Sequence, residues 1–300
     1  MLLQSSLKSP LSRTGLALLM TLSGFMSVMS TASAADAAPV ADTAPASGAL
    51  TPTQIGQIAE EYLVAHPDKL GEVMATYLAE HPEFLVAAGE SLRQRQQISQ
   101  QQMFVQMAVT KQATLLDSQS PSVGPADAKA AVVMFFDYQC SYCGKMAPVV
   151  EALIKANPDV RFVFKEFPIF ASRWPVSALA ARVGEQIWLN KGGAAYLAYH
   201  NALYATGHVE GQMTEKDVQE AAKPYLNEQA LKAIELAQNE GPVHDALQAN
   251  ADLAKEMNFT GTPAFVVMPQ AQNPDAQRIS VVPGSTSQEM LQMAIQKARG

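Results

Sequence analysis

The sequence predicts an α/β fold in which a block of helices is inserted between two halves of one sheet, with an all-α segment in front. The apolar run AAVVMFF at 130–136 is typical of a strand buried on both faces. A helical pattern and a second strand pattern, VRFVFKE at 160–166, follow at once, which indicates a right-handed crossover and parallel pairing. Strand patterns return only at 264–268 and 278–282, after a long helical stretch.

The first 34 residues have the pattern of a secretory signal peptide, because Lys8 and Arg13 precede a short apolar run and a small-residue cleavage site ends at Ala34. The run is too short to span a membrane, so we expect cleavage, followed by a flexible leader at 35–50. Removal of residues 1–34 leaves 19 Lys and Arg against 28 Asp and Glu, so the net charge changes from −7 to −9. A chain this acidic is not expected to bind nucleic acid.

Residues 51–116 are predicted to be a helical N-terminal segment. A Tyr-Leu pair followed by a His-Pro pair occurs twice, and each His-Pro, at His66 and His81, is predicted to end one helix and begin the next. The polar run after His81 has few apolar residues, so it needs a second copy of the chain or the rest of this chain to pack against. The alternative is a solvated spacer helix. A turn-rich linker is predicted at 117–128.

Residues 129–300 are predicted to form the main domain, with the helical insertion at about 172–258. Within this stretch, N-capping residue types and breaks at glycine separate several helices. The predicted helices of the insertion cover 175–190, 193–205, 214–223, 227–239 and 242–257. A final helix is predicted at 286–298, after the last strand.

The only two cysteines, Cys140 and Cys143, lie where strand 130–136 gives way to a helix. A zinc site requires about four ligands, but a second CxxC is missing and the five histidines are scattered, so neither an intrinsic metal site nor a cofactor is expected. A chain of this length can build its hydrophobic core without disulfide bonds, which weakens the case for a purely structural disulfide.

The pair is better explained as a redox centre. At a helix N-terminus the unpaired backbone N–H groups and the helix dipole favour a thiolate, so Cys140 is the predicted nucleophile and a good leaving group. Cys143 lies one turn further on and is the predicted resolving cysteine. Ser141 and Tyr142, between them, are expected to set the redox poise of the pair.

Residues 126–300 resemble the thioredoxin superfamily and, within it, the DsbA-like periplasmic thiol-disulfide oxidoreductases. The resemblance rests on CSYC at 140–143, on KMAP ending at Pro148, and on GTPAF at 261–265. It implies a thioredoxin-like fold, a kink at Pro148, and a cis proline, Pro263, that lies beside the disulfide. Thr262 would then present its backbone to an extended substrate.

One residue departs from the family pattern. Met134 stands where related proteins commonly have a buried acid six positions before the nucleophile. If that proton acceptor is replaced, the candidate modulators of the cysteine pKa are Asp137, Lys165 and Glu166 at the strand ends; solvated caps are the alternative interpretation.

The helical segment in front of the catalytic domain resembles the layout of DsbC-like and ScsC-like proteins, in which an N-terminal segment assembles an oligomer. The resemblance implies a homo-oligomer formed through 51–116, located in the periplasm of a Gram-negative bacterium. It also implies cysteine-containing secreted proteins as substrates and a membrane redox partner of the DsbB or DsbD type. We therefore expect a disulfide isomerase or a bifunctional oxidase/isomerase. The alternatives are a DsbA-like oxidase without isomerase activity, and a copper-binding or chaperone-like module with a structural disulfide.

Overall fold

The computed structural model describes residues 50–237 and 239–300. The predicted signal peptide at 1–34 and all of the predicted leader except Leu50 lie outside the described residues. The chain divides into two compact units between Met74 and Ala75.

The N-terminal helices begin and end where the His-Pro pairs predict. Helix α1 (Pro52–Ala65) starts at Thr51, whose side chain accepts a hydrogen bond from the Gln54 N–H in a capping box. Helix α2 (Pro67–Glu80) follows, and α3 (Glu83–Thr110) begins after the second His-Pro. Neither α1 nor α2 has a buried residue.

The C-terminal end of α3 packs on the sheet of the main domain. Phe104 and Ala108 of α3 are buried, and Leu115 of the short helix α4 (Gln112–Leu115) joins them in one core. The Gln101 side chain donates a hydrogen bond to the Val281 carbonyl at 3.3 Å. Three alternatives were predicted for this helix: packing on a second copy, packing on the rest of this chain, and a solvated spacer. The last turns of α3 pack on the rest of this chain.

The five-stranded sheet has the order β1-β3-β2-β4-β5. Its strands are β1 (Ser122–Val123), β2 (Ala130–Phe136), β3 (Arg161–Glu166), β4 (Ala264–Pro269) and β5 (Ser280–Pro283). Strands β2 and β3 are parallel, as predicted, and the other pairs are antiparallel. Strand β1 lies in the segment predicted to be a linker, and β5 begins two residues later than predicted because residues 276–278 form a 3-10 turn.

Helices cover both faces of the sheet, which explains why β2 is apolar throughout. Met134 and Phe136 point into one core, whereas Val133 and Phe135 point into the other, since successive side chains of a strand alternate. Helices α5 (Ser141–Ala156), α6 (Val176–Lys191), α7 (Gly193–Ala205) and α11 (Gln288–Arg299) contribute to the first core. Helices α3 and α10 (Pro242–Glu256) contribute to the second.

The inserted helices follow the predicted pattern. Helix α8 (Glu215–Ala222) starts at the predicted cap Thr214 with a capping box, and α9 (Glu228–Leu236) starts at Asn227, whose side chain accepts from the Ala230 N–H. Helix α9 ends earlier than the predicted residue 239. In the part of the chain that the structure describes, no helix is long and apolar enough to cross a membrane.

Candidate active site

Cys140 is the N-cap residue of α5, in extended backbone conformation with φ −80° and ψ 117°. Its own N–H donates to the Asp137 carbonyl at 3.0 Å, which closes a tight turn between β2 and α5. Both cysteines are free thiols. Cys140 is 4 % exposed and Cys143 is 0 % exposed, so an incoming sulfur can reach only Cys140.

The Thr262–Pro263 peptide bond is cis, as the resemblance implied. It brings Thr262 beside the cysteines, and the Cys140 Sγ–H donates to the Thr262 carbonyl at 3.2 Å. The Thr262 hydroxyl oxygen, unlike the carbonyl, is buried without a hydrogen-bond partner among the described residues. The structure therefore brings together the four residues that the sequence predicted as the core of the site: Cys140, Cys143, Thr262 and Pro263.

The surroundings of Cys140 favour its thiolate. The hydrogen bond from the Cys143 thiol is the largest influence and lowers the pKa of Cys140, whereas burial raises it. Thr262 and the N–H groups of Cys143 and Tyr142 lower it further. The net effect lowers the pKa of Cys140 to about 6. As an anion the sulfur no longer donates to the Thr262 carbonyl, which leaves that acceptor open to a substrate N–H.

Cys143 is shifted in the opposite sense. Burial, followed by the neighbouring Cys140 sulfur, raises the pKa of Cys143 well above its ordinary value. At neutral pH the pair therefore consists of an ionised outer sulfur and a protonated inner one. A nucleophile beside a proton-holding partner is the arrangement that thiol–disulfide exchange requires.

Ser141 and Tyr142 form the first turn of α5, as predicted. Tyr142 is 56 % exposed, and the Lys145 ammonium lies 5.1 Å from the centroid of its ring. This cation–π contact holds an aromatic surface next to the nucleophile. Pro148 lies inside α5, where the sequence predicted a kinking proline.

Asp137 is a buried residue that organises the turn before Cys140. Its Oδ1 accepts hydrogen bonds from the Gln139 N–H at 2.7 Å and the Ser177 hydroxyl at 2.8 Å, and its Oδ2 accepts from the Phe170 N–H at 2.9 Å. Burial raises the pKa of Asp137 even though all three hydrogen bonds oppose the change. The carboxyl thus joins the cysteine turn to the start of the helical insertion.

Lys165 and Glu166 lie on opposite faces of β3. The Lys165 ammonium donates to the Thr114 carbonyl at 2.8 Å and the Ser120 hydroxyl at 2.6 Å. Glu166 accepts from the Tyr138 hydroxyl at 3.1 Å and the Tyr196 hydroxyl at 2.8 Å, and burial raises its pKa well above the ordinary value. These hydrogen bonds join both residues to groups other than the cysteines, and a role in tuning Cys140 stays a prediction for each.

The loop at 207–212 is anchored to the turn before Cys140 by hydrogen bonds that the sequence did not predict. The Gln139 side-chain oxygen accepts from the Gly211 N–H at 2.7 Å, and the Gln139 carbonyl accepts from the Glu210 N–H at 2.9 Å. Tyr204 adds a hydrogen bond to the Asp137 carbonyl at 3.0 Å. These hydrogen-bond partners are far apart in sequence, so no local sequence pattern predicts them.

A sheet flanked by helices, with a CxxC pair at a helix N-terminus facing a cis proline, defines the thioredoxin fold and its dithiol site. The Thioredoxin family model matches residues 116–277, and the chain belongs to this family. The superfamily resemblance and the α/β fold class are thereby confirmed. Among the described residues, no group of three or more His, Cys, Asp or Glu side chains is arranged to hold a metal ion.

Several solved structures are similar to this chain. BcfH of Salmonella enterica Typhimurium is 70 % identical, covers 81 % of this chain and 100 % of its own, and superposes with a TM-score of 0.75. A thioredoxin-like oxidoreductase from Silicibacter pomeroyi DSS-3 is 30 % identical, with coverages of 62 % and 96 % and a TM-score of 0.50. Proteus mirabilis ScsC in a transitional conformation is 23 % identical, with coverages of 79 % and 98 % and a TM-score of 0.52, a likeness of fold alone.

The curated relatives are longer proteins. Na⁺/H⁺ antiporter NhaA 1 of Salinispora arenicola is 28 % identical over 144 residues. This match covers 48 % of the present chain but only 21 % of the antiporter, so the chain spans about a fifth of that relative's length.

Proposed function

We propose that the chain is a thiol–disulfide oxidoreductase that acts on cysteine-containing secreted proteins, as a disulfide isomerase or a bifunctional oxidase/isomerase. The observation that carries the proposal is Cys140 at the N-cap of α5, with its pKa lowered to about 6 and Thr262 beside it. The name of the Silicibacter pomeroyi relative, a thioredoxin-like oxidoreductase, supports the same class of chemistry.

Oxidation begins from the Cys140–Cys143 disulfide. A substrate thiolate attacks the Cys140 sulfur, the intramolecular disulfide breaks, and Cys143 leaves and takes up a proton, consistent with its raised pKa. A second substrate thiolate then attacks the substrate sulfur of the mixed disulfide. Cys140 leaves as a stabilised thiolate, the substrate has lost two electrons, and the dithiol has gained them.

Isomerisation begins from the dithiol. The Cys140 thiolate attacks a non-native substrate disulfide and releases one substrate thiolate, which attacks another disulfide in the same substrate. The final exchange expels Cys140, and no net electrons are transferred. If the substrate stalls, Cys143 attacks the Cys140 sulfur and frees the reduced substrate.

The N-terminal helices favour the isomerase over a monomeric oxidase. Most of the exposed large hydrophobic side chains of the described residues lie between residues 50 and 103, including Ile58 and Tyr62 of α1, Val73 of α2 and Leu92 of α3. Apolar faces of this extent are typical of protein–protein interfaces. We propose that second copies of the same segment cover them and place at least two Cys140 sites on one assembly, which suits retention of a misfolded chain.

The experiment combines light scattering of the mature protein with recovery of activity from a scrambled multi-disulfide substrate. We expect an oligomer that restores the scrambled substrate in the presence of a small thiol. Ile58→Glu is expected to yield smaller species and to lose recovery from the scrambled substrate, whereas oxidation of reduced substrates continues. Gln57→Glu, an exposed charge change on the same helix, is the matched control. A monomeric wild type that acts only on reduced substrates contradicts the isomerase and leaves the DsbA-like oxidase.

The reduction potential separates an exchange enzyme from a module with a structural disulfide. A labile disulfide, with Cys140→Ala abolishing exchange while the fold survives, supports the enzyme. A strongly reducing, inert disulfide favours the copper-binding or chaperone-like alternative.

We propose a periplasmic location in a Gram-negative bacterium, which the predicted signal peptide at 1–34 supports. There, a membrane protein of the DsbB type would reoxidise the dithiol, and one of the DsbD type would keep it reduced. Trapping Cys143→Ala as a mixed disulfide in cells distinguishes the two, because the captured membrane partner identifies the direction of electron flow.

A further inference from the structure

A cavity of about 290 Å³ lies between α6, α10, strand β3 and the segment 114–120. Its polar lining residues are Thr114, Asp117, Gln119, Ser120, Lys165, Glu185, Asp245 and Asn250. Its apolar lining residues are Leu189, Pro242, Ala246 and Ala249. The volume lies just below the range of about 300–1,000 Å³ typical of drug-sized ligands, so the cavity suits a smaller molecule.

Four of the buried polar side chains of the described residues lie around this one cavity: Ser120, Lys165, Glu185 and Asn250, each less than a tenth exposed. Glu185 Oε1 is buried without a hydrogen-bond partner. The Lys165 ammonium uses two of its three protons, on the Thr114 carbonyl and the Ser120 hydroxyl, and the Asn250 side chain lines the same cavity. A buried polar group without a partner is costly, so the cavity is suited to a polar ligand.

We propose that this cavity binds a small zwitterion of the α-amino-acid class. The ligand carboxylate would pair with Lys165 and accept from the Asn250 amide, and the ligand ammonium would donate to the Glu185 carboxyl, which lines the same cavity. The apolar wall that includes Leu189 and Ala246 would hold a short aliphatic side chain. A simple anion or a simple cation satisfies only one side of this arrangement.

Binding is expected to release a proton. Burial raises the pKa of Glu185 to about 8 and lowers that of Lys165 to about 8, so near pH 7 the carboxyl is mostly protonated and the ammonium mostly charged. The other charged groups around this pair are Asp117, which acts on both, Arg161, which acts on Lys165, Glu166, which interacts with Glu185, and Asp245 of α10, which lines the cavity. A ligand ammonium against Glu185 stabilises the carboxylate and displaces its proton.

Isothermal titration of the full chain with glycine, alanine and leucine at pH 7 tests the proposal, with acetate and methylammonium as half-ligands. We expect saturable binding of at least one amino acid and at least tenfold weaker binding of either half-ligand. Titration in phosphate and in Tris should give different heats, corresponding to release of up to about one proton at this pH. Absence of saturable heat from every amino acid, or equal binding of a half-ligand, overturns the proposal and leaves a water-filled cavity.

Variants locate the site. Glu185→Gln keeps the shape and removes the charge, and it is expected to weaken binding at least tenfold and to abolish the buffer-dependent heat. Asn250→Ala is the second variant and should weaken binding without removing the proton release. Asp252→Asn, an exposed change on the same helix outside the cavity lining, is the matched control. Circular dichroism establishes folding, and a folded Glu185→Gln that binds as the wild type does contradicts the assignment. The outcome does not depend on the sulfur chemistry of Cys140.

Discussion

Replacing Cys143 by alanine tests the physical basis of the candidate site, because the Cys143 thiol is the largest influence that lowers the pKa of Cys140. A hydrogen bond to an ionised acceptor is worth about 1.5–3 kcal/mol. One pKa unit corresponds to about 1.4 kcal/mol, so loss of the donor should raise the pKa of Cys140 by about one to two units from its value of about 6.

The measurement is the thiolate absorbance near 240 nm, or the rate of alkylation, followed from about pH 4 to pH 9, a range that brackets the expected values. Cys143→Ser is the matched control: its hydroxyl can still donate to the Cys140 sulfur, so the pKa should stay closer to that of the wild type. If Cys143→Ala titrates at the wild-type pH, the hydrogen bond between the two sulfurs does not stabilise the thiolate. The helix N-terminus and Thr262 would then have to supply the whole effect.

Three further changes probe the surroundings of the site. Thr262→Val removes the buried hydroxyl, which lowers the pKa of Cys140 less than the Cys143 thiol does. We therefore expect the pKa of Cys140 to rise less than in Cys143→Ala. An unchanged titration curve would show that the hydroxyl does not stabilise the thiolate. Burial lowers the pKa of His200 from 6.5 to about 4, so the free energy of unfolding should fall by about 3 kcal/mol as the pH drops from 6.5 to about 4. Urea titrations at several pH values should show that His200→Phe lacks this loss. An equal dependence of the free energy of unfolding on pH in both proteins refutes the prediction. Gly184→Ala places a Cβ 2.8 Å from Glu166 Oε1, so we expect the free energy of unfolding in urea to fall by about 1–3 kcal/mol. An unchanged midpoint would show that Glu166 and its tyrosine partners move aside without cost.

The central part of the fold was readable because burial leaves its mark on the sequence. Strand β2 is covered on both faces, and this coverage requires seven consecutive apolar residues. The capping residues Thr214 and Asn227 marked helix starts for a local reason, since each side chain binds an N–H three residues on. The position of the CxxC pair followed from the end of β2.

Other features escaped the sequence because they are held by contacts between distant segments. Strand β1 has two residues and therefore no periodicity to detect. The docking of α3 depends on Phe104 and Ala108 within a long polar helix. Lys165 and Glu166 looked equivalent at the end of β3, yet the alternation of the strand sends one towards α4 and the other into a cluster of tyrosines.

The three residues before Cys140 have a consequence for protein engineering. Asp137 and Gln139 are buried, and their side-chain oxygens accept hydrogen bonds from groups at Phe170, Ser177 and Gly211, all contributed by residues beyond β3. Grafting CSYC and its helix onto a smaller scaffold would strip these groups away and leave two polar side chains stranded in the interior. A minimal version of this protein must therefore either keep those segments or redesign the tripeptide along with the cysteines.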